Sequence, residues 1–245
     1  MQLTDEIFQS LRSGKFEDFL DTGADELTTQ FPERFSGMAR IEAHDAARNV
    51  VGESYEETQR LGRPSALLSM RIAYARLTLG AGVLSDPRFP LIAELCERQA
   101  TARKIDDDKT IGEFLARMEP YWKQDHLPEV CRIEIELTSQ SFSHAEGWAS
   151  ALNMLMPSHL ARGGVASEAE MRAFINATYA DAWHLGLHDQ TSILRHVLLA
   201  EALGLKFFID PQYPDWMAVY DAANPRHITS ALKDTFSIKY HRQEN

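Results

Sequence analysis

Cysteine is scarce in this chain, and long apolar runs are missing. The 245 residues include two cysteines, Cys96 and Cys131, which is too few for a disulfide framework. A reducing compartment such as the cytoplasm is therefore the expected location. No run of about 18 apolar residues occurs, so no membrane-spanning helix is expected. The first 20 residues are acidic and amphipathic, without the basic-then-apolar layout of a secretory signal.

Recognisable catalytic motifs are also missing. The chain has no Gly-x-Ser-x-Gly, no Walker phosphate loop and no His-Glu-x-x-His. Gly80-x-Gly82 lacks the third glycine of a dinucleotide-binding loop, and His144-x-Glu146 lacks the Pro-Cys-x-x-Cys partner of the zinc deaminases. The sequence therefore predicts a protein with no catalytic residue, no cofactor and no metal site.

One enzymatic alternative stays open, a site built from His184, His188 and Asp189. Histidines four residues apart suit a metal ion when a single helix carries both. Gly186 lies between these two and is expected to end the helix. That break disfavours a shared metal ion.

The charge is strongly negative and unevenly spread. Asp and Glu number 36 against 25 Lys and Arg, a formal net charge of −11, and the first 60 residues hold 13 acidic and 6 basic side chains. An acidic surface repels nucleic acid and anionic lipid, so neither is expected as a partner. It attracts a basic protein and accelerates the encounter. The alternative is that the acids only keep the protein in solution.

An internal repeat is the strongest pattern in the chain. Residues 47–95 (the first repeat) lie over residues 171–219 (the second repeat) without a gap, at an offset of 124. The match is closest where DPRFP at 86–90 meets DPQYP at 210–214. Helical sequences do not readily place glycines and such a motif at one constant offset, so the pattern indicates a duplication. Other matching positions are Tyr55 with Tyr179, Gly62 with Gly186, Arg71 with Arg195 and Gly80 with Gly204.

Both repeats have helical periodicity. We predict an all-α fold of two similar helical-bundle halves, residues 1–130 and 131–245, packed as one unit and related by a pseudo-twofold axis. The most apolar helices are expected at about 65–84 and 190–208, at the centre of the bundle. His196 aligns with Ile72 and is expected to be packed in the interior. Residues 131–137 alternate polar and apolar side chains, which is typical of a short strand, but they run into helix-forming sequence.

The DPRFP and DPQYP motifs are predicted to be structural connectors between helices. An aspartate before proline leaves the helical region and can cap the N–H groups that follow. The prolines fix φ, and the aromatic ring can fill the gap between helix ends. The alternative is a functional pair of acids across the pseudo-twofold axis. The connector residues are Asp86, Pro87, Phe89 and Pro90, with Asp210, Pro211, Tyr213 and Pro214.

A family resemblance rests on these same residues. The pattern begins with Leu3-Thr4-x-Glu6, Phe16, Glu17 and Leu27, continues through Phe31-Pro32, Tyr55, Leu61-Gly62 and Leu79-Gly80, and closes with Asp210 to Trp216. It resembles small helical proteins of Proteobacteria that are encoded beside effectors and spike proteins of type VI secretion systems. Members usually carry one copy of the pattern, and here there are two. The usual Pro-Trp is matched only loosely, by Pro90-Leu91 and by Pro214-Asp215-Trp216.

The resemblance implies a cytoplasmic accessory protein that binds a secreted toxin. The first hypothesis is a non-enzymatic immunity protein that blocks a basic toxin, such as a nuclease. The alternative is an effector-loading chaperone or adaptor. The expected partner-binding face lies on a helix from about Asp5 to Leu20 and just beyond, and its carboxylates are Asp5, Glu6, Glu17, Asp18, Asp21, Asp25 and Glu26.

Overall fold

All regular secondary structure in the described part of the protein is helical. A computed structural model describes residues 16–62, 64–101, 107–118, 126–138, 144–161, 163–221 and 224–241. Within these ranges there is no strand, and no helix is both long and apolar enough to cross a membrane. The α-helices are α1 Phe16–Gln30, α2 Arg40–Arg60, α3 Ala66–Leu79, α4 Pro90–Thr101, α5 Asp107–Arg117, α6 Leu127–Thr138, α7 His144–Ala161, α8 Glu168–His184, α9 Gln190–Leu203, α10 Pro214–Asp221 and α11 Pro225–His241. Short 3₁₀ helices cover Pro32–Phe35, Val83–Ser85 and Phe207–Ile209.

Two clusters of buried apolar side chains form the interior. The first contains side chains between Phe19 and Met118, and the second contains side chains between Val130 and Phe236. The boundary expected between residues 130 and 131 falls inside α6. Because Val130 and the rest of the buried side of α6 belong to the second cluster, the whole helix packs with the later part of the chain.

Residues 131–137 are not a strand; they form most of α6. The buried side chains of α6 are Val130, Ile133, Glu134 and Leu137, with Cys131 beside them. This spacing of three and four residues describes one face of a helix. The alternation in the sequence arises because the buried face includes polar Glu134, while apolar Ile135 is exposed. These residues therefore do not form the short strand that the alternation suggests.

The central helices α3 and α9 end earlier than the apolar pattern predicted. Both stop at a C-cap glycine, Gly80 with φ 103° and Gly204 with φ 100°. These positive φ values leave the helical region, and glycine adopts them without a Cβ penalty. The residues that continue the apolar pattern form separate 3₁₀ turns, so the two predicted helices are each a helix followed by a turn.

Helix boundaries recur at the offset of the sequence repeat. Adding 124 to the bounds of α3 gives the bounds of α9, and the 3₁₀ helix Val83–Ser85 corresponds in the same way to Phe207–Ile209. Gly62 and Gly186, just beyond α2 and α8, have φ 78° and 80°. The two repeats therefore share their local conformation over these elements.

Candidate functional site

The two Asp-Pro connectors build similar buried turns. Asp86 Oδ1 accepts a hydrogen bond from the backbone N of Arg88 at 2.9 Å, and Asp210 Oδ1 accepts one from the backbone N of Gln212 at 3.0 Å. Both aspartates are almost completely buried. These bonds stabilise the turn ahead of the next helix, which begins at a proline in each case. Burial raises the pKa of the Asp210 carboxyl, and the hydrogen bond from Gln212 opposes that rise.

The repeats meet where α3 and α9 end. A Cβ placed on Gly80 would lie 2.7 Å from the Cα of Gly204, so the two backbones touch. Gly82 N donates to the carbonyl of Leu205 at 2.8 Å. From the second repeat, Asp210 Oδ2 accepts a hydrogen bond from Ala81 N at 2.9 Å. Backbone-to-backbone contact and a buried carboxylate therefore join the repeats.

A buried ion cluster crosses the same junction. The Arg88 guanidinium binds Asp86 in its own repeat, with Nη2 2.7 Å from Oδ2, and its Nη1 donates to Glu201 in the second repeat. Arg88 is 1% exposed and Glu201 is 1% exposed. The ring of Phe174 lies under the guanidinium, with its centroid 3.7 Å from Cζ. Such a cation is stable in the interior because carboxylates and an aromatic face replace its water.

His159 extends this cluster toward the loop before α8. Its Nδ1 lies 3.4 Å from Glu201 Oε1, and its Nε2 accepts from the backbone N of Ala166 at 3.4 Å. Because Nε2 is the acceptor, this pattern assigns the ring proton to Nδ1, which donates to the carboxylate. A hydrogen-bonded path therefore runs from the loop through His159 and Glu201 to Arg88.

A cavity of about 200 Å³ lies beside the ion cluster. The last turns of α3 and α9 form part of its wall, together with Arg34, Arg88 and Gln212. Arg34 Nη2 donates to the carbonyl of Thr78 at 3.3 Å, so one cation covers the C-terminal end of α3. The cavity is thus part of the junction between the repeats.

A larger groove lies between the repeats and has a volume of about 410 Å³. We call it the inter-repeat groove. Its deepest charged pair is Arg76 with Glu53, whose carboxylate binds Arg76 Nη2. Burial raises the pKa of the Glu53 carboxyl, and the charge of Arg76 lowers it in part. The lining residues are Glu53, Glu56, Glu57, Arg60, Ile72, Arg76, Ala81, Gly82, Leu84, Ser85, Lys206 and Ile209.

The expected partner-binding carboxylates lie partly within the described structure. Asp5 and Glu6 lie outside the described residues. Of the helix expected from about Asp5 to Leu20, residues 16–20 are described, and they form the start of α1, which continues to Gln30. The other carboxylates, which we call the acidic face, all lie on α1: Glu17, Asp18, Asp21, Asp25 and Glu26.

Part of the acidic face is paired with neighbouring helices. Arg48 on α2 binds Glu17 through Nη2 and Asp21 through Nε, the latter at 2.8 Å. The hydrogen bond that Arg48 donates to Asp21 contributes most to raising the pKa of Arg48. Tyr74 Oη donates to Glu26 Oε1 at 3.0 Å. No local sequence signal indicates these pairings, since the partners are 27 to 48 residues apart.

An exposed aromatic ring lies at the start of the acidic face. Phe16 is 43% exposed. Its ring centroid lies 4.9 Å from that of Tyr55 on α2. The amphipathic pattern of the sequence predicts that Phe16, Phe19 and Leu20 all face inward; Phe19 and Leu20 are buried, whereas for Phe16, at the start of α1, the prediction was wrong.

The histidines singled out in the sequence occupy three different environments. His184 ends α8, and His188 lies beyond Gly186, so no single helix carries both. His188 instead packs against the ring of Trp183, with centroids 4.5 Å apart. His196 is buried, as predicted, and its Nδ1 lies 2.8 Å from Tyr220 Oη. Burial, and to a smaller extent the charge of Lys206, lowers the pKa of His196 to about 3.

Metal-binding geometry is absent from the residues that can be described. No group of three or more His, Cys, Asp or Glu side chains there could hold a metal ion. Cys96 and Cys131 are both buried free thiols, and burial raises the pKa of Cys96 to about 12.

Sequence reasoning missed both the ion cluster and the inter-repeat groove. The available signal was divergence between the repeats, because Arg88 aligns with Gln212 and Glu201 aligns with Leu77. Opposite charges at two positions that are uncharged in the other repeat suggest an ion pair. No such difference between the repeats indicates the inter-repeat groove.

Comparison with known proteins finds no match for this chain. Neither a protein-family model, nor a curated protein, nor a solved structure matches this chain.

Proposed function

We propose that this protein acts by binding and neutralising a secreted bacterial toxin, as an immunity protein of a type VI secretion system. The observation that carries the proposal is the acidic face with an exposed aromatic side chain at its start. Glu17, Asp21 and Asp25 have side chains 72%, 56% and 80% exposed, so their charge is available to a basic partner. Phe16 supplies apolar contact area beside them.

Arg48 reduces the charge of this face without cancelling it. Five carboxylates lie on α1, and Arg48 pairs with two of them, Glu17 and Asp21. A basic toxin meeting the face would replace water around its exposed carboxylates. Association would then be fast at low salt and slower at high salt, because salt screens exposed charges.

We also propose that the chain arose by duplication and that its repeats are related by a pseudo-twofold axis. The shared bounds of α3 and α9 support this, and so does the contact between Gly80 and Gly204, which are equivalent positions. A duplicated chain can diverge in one copy while the other keeps the fold. In this proposal the acidic α1 belongs to the binding side of the first half, residues 1–130, and the second half, 131–245, supports it.

The first test is capture of the toxin. The tagged chain would be co-expressed with the product of the neighbouring effector gene, and growth and co-purification would be measured together. Immunity predicts both a stable complex and rescue of growth. A complex without rescue would favour the alternative role, an effector-loading chaperone, for which Ile209, 48% exposed at the inter-repeat groove, would offer apolar contact. Absence of both would contradict the proposal.

A further inference from the structure

Four rings follow one another along α7, α8 and the turn after α8. Trp148 on α7 packs edge-on against Tyr179 on α8, with ring centroids 5.6 Å apart. Tyr179 lies parallel to Trp183, one turn later, at 6.4 Å, and the ring of His188 lies 4.5 Å from that of Trp183. We call these four residues the aromatic row. Trp183 is 50% exposed, so a large ring that its neighbours hold in place is open to a partner.

The other repeat shows that the fold does not require a tryptophan at this position. Trp183 is equivalent to Gln59, which is also exposed and also lies next to the last residue of its helix. Tyr179 is shared by both repeats, as Tyr55, which packs against Phe16 instead. Since a polar residue serves the helix in the first repeat, the exposed indole of the second repeat has a reason other than packing. Tryptophan is among the residues that contribute most to protein–protein binding.

The two helices that carry the aromatic row are poor in basic residues. α7 contains no lysine or arginine, and none occurs in residues 173–194 of α8 and the start of α9. Acidic residues lie on either side of Trp183 in the chain. Asp181 binds the ammonium of Lys206 at 2.6 Å, and the exposed Asp189 caps α9 through a hydrogen bond from Ser192 N.

This combination of an aromatic face and acidic surroundings favours a cation. The indole face attracts a positive charge more strongly than the other aromatic rings do. The net charge of −11 adds a long-range attraction of the same sign. Arginine fits better than lysine, because its planar guanidinium stacks flat on a ring and is less strongly hydrated. The interior contains such a contact, with Cζ of Arg88 3.7 Å from the ring centroid of Phe174.

We propose that the aromatic row is a docking surface for a basic partner protein, with an arginine side chain of the partner stacked on the exposed indole of Trp183. A basic toxin would supply such a side chain, but the inference does not depend on the proposed function. It concerns the second half of the chain, whereas the acidic face lies on the first, so the two surfaces can be tested independently.

The test compares a peptide of six arginines with a peptide of six citrullines, whose side chains have a similar planar end group without the charge. Each would be titrated into the isotope-labelled full chain at about 0.15 M salt, where distant charges are screened. We expect saturable NMR shifts at the indole of Trp183 and at the amide of Gly186, which donates to the Trp183 carbonyl. The midpoint should lie at or below about 1 mM for the arginine peptide, and the citrulline peptide should bind at least about fivefold more weakly.

Three variants assign the binding, with the amide of Gly186 as the common reporter. Trp183→Gln introduces the residue of the equivalent position and should weaken binding of the arginine peptide about two- to fivefold. Trp183→Leu keeps an apolar side chain without a ring face and should weaken it equally. Leu160→Ser is the matched control, because Leu160 is 52% exposed near the other end of α7; it should bind as the parent does.

Three results would overturn the inference: no saturable shift up to about 5 mM arginine peptide, equal binding of the two peptides, or binding by Trp183→Leu that equals that of the parent. Reversing Glu17, Asp18 and Asp21 to lysine should leave the shift at Trp183 in place, because these acids belong to the acidic face. If toxin capture succeeds while the arginine peptide does not bind at Trp183, this proposal falls and the toxin-binding proposal stands.

Discussion

Arg88 and Glu201 form a fully buried ion pair between the two repeats, 113 residues apart in the chain. The positions equivalent to them in the other repeat are Gln212 and Leu77. Each repeat therefore has one charged side chain at a position where the other repeat has an uncharged one. This pair makes the junction specific, because a buried carboxylate such as Glu201 is costly without its cation.

Removing the cation should destabilise the protein strongly. Arg88→Gln introduces the side chain of the equivalent Gln212, which still suits the aspartate of the turn, but it leaves Glu201 buried without its cation. We expect a loss of about 3–5 kcal/mol in the free energy of unfolding, measured by urea denaturation.

A second substitution should recover part of that loss. Arg88→Gln with Glu201→Leu restores the pattern of the equivalent positions, and it should be more stable than Arg88→Gln alone. Arg132→Gln is the control for loss of an ion pair at the surface, where Arg132 binds Glu129 and Glu136; it should cost about 0–1 kcal/mol. If Arg88→Gln costs no more than Arg132→Gln, the buried pair is not what stabilises the junction.

Gly204→Ala should separate the repeats or strain them. A Cβ at this position would lie 2.6 Å from the carbonyl oxygen of Leu79. Gly163→Ala is a matched control, because its φ of 93° is also positive and nothing lies within 4 Å of the added Cβ. The control carries the backbone strain alone, so Gly204→Ala should lose about 1–3 kcal/mol more, the typical cost of overpacking. Equal losses in thermal denaturation would show that the junction can accommodate the methyl group.

The buried His196 should make the free energy of unfolding depend on pH. Burial lowers its pKa from 6.5 to about 3. The unfolded chain therefore binds a proton below about pH 6.5, whereas the folded protein does not until about pH 3. The contribution of neutral His196 is fully present above pH 6.5 and is lost as the pH falls toward 3.

His196→Gln removes this proton uptake and retains a polar group for Tyr220. Between pH 7 and 5 its free energy of unfolding should fall by on the order of 1–2 kcal/mol less than that of the parent. The comparison needs denaturation curves at both pH values for both proteins. His184→Gln, at an exposed position, controls for loss of a histidine and should follow the parent. Identical pH dependence of His196→Gln and the parent would contradict the assignment.

The acidic face should control the association rate with a captured toxin. Reversing Glu17, Asp18 and Asp21 to lysine should slow association and weaken protection, most clearly at low salt. Arg48→Gln makes the opposite change, because it releases Glu17 and Asp21 from their cation, and it should accelerate association. Both rates can be followed by stopped-flow mixing or surface plasmon resonance at several salt concentrations.

Reversing three acidic side chains on other helices distinguishes the effect of the acidic face from the effect of net charge. Glu168, Asp215 and Asp234 are exposed acids on other helices, and changing them to lysine alters the net charge equally. That variant should associate faster than the reversal on the acidic face. If the two triple variants behave alike, or if neither affects binding at any salt concentration, the acidic face serves solubility only.

Local sequence signals determined most of the helical framework. Gly186 ends α8 because only a residue free to adopt positive φ fits there. Asp189 begins α9 because its carboxylate accepts the free N–H of Ser192, at 2.8 Å. His196 could be assigned to the interior from its apolar neighbours and its alignment with Ile72. Each of these depends on residues within one or two turns of helix.

The contacts between distant residues were decided only by the tertiary structure. Helical periodicity shows which face of a helix is buried, but not which residue of another helix meets it. The contact of Gly80 with Gly204 and the pairing of Arg88 with Glu201 need α3 and α9 to end side by side. The same holds for Arg76 and Lys206, which line one groove only because the repeats pack against each other. The sequence alone determined which segments are mostly helical and where capping residues such as Gly186 and Asp189 lie, since those signals are local, whereas the packing of the helices determined which charges and which backbones meet.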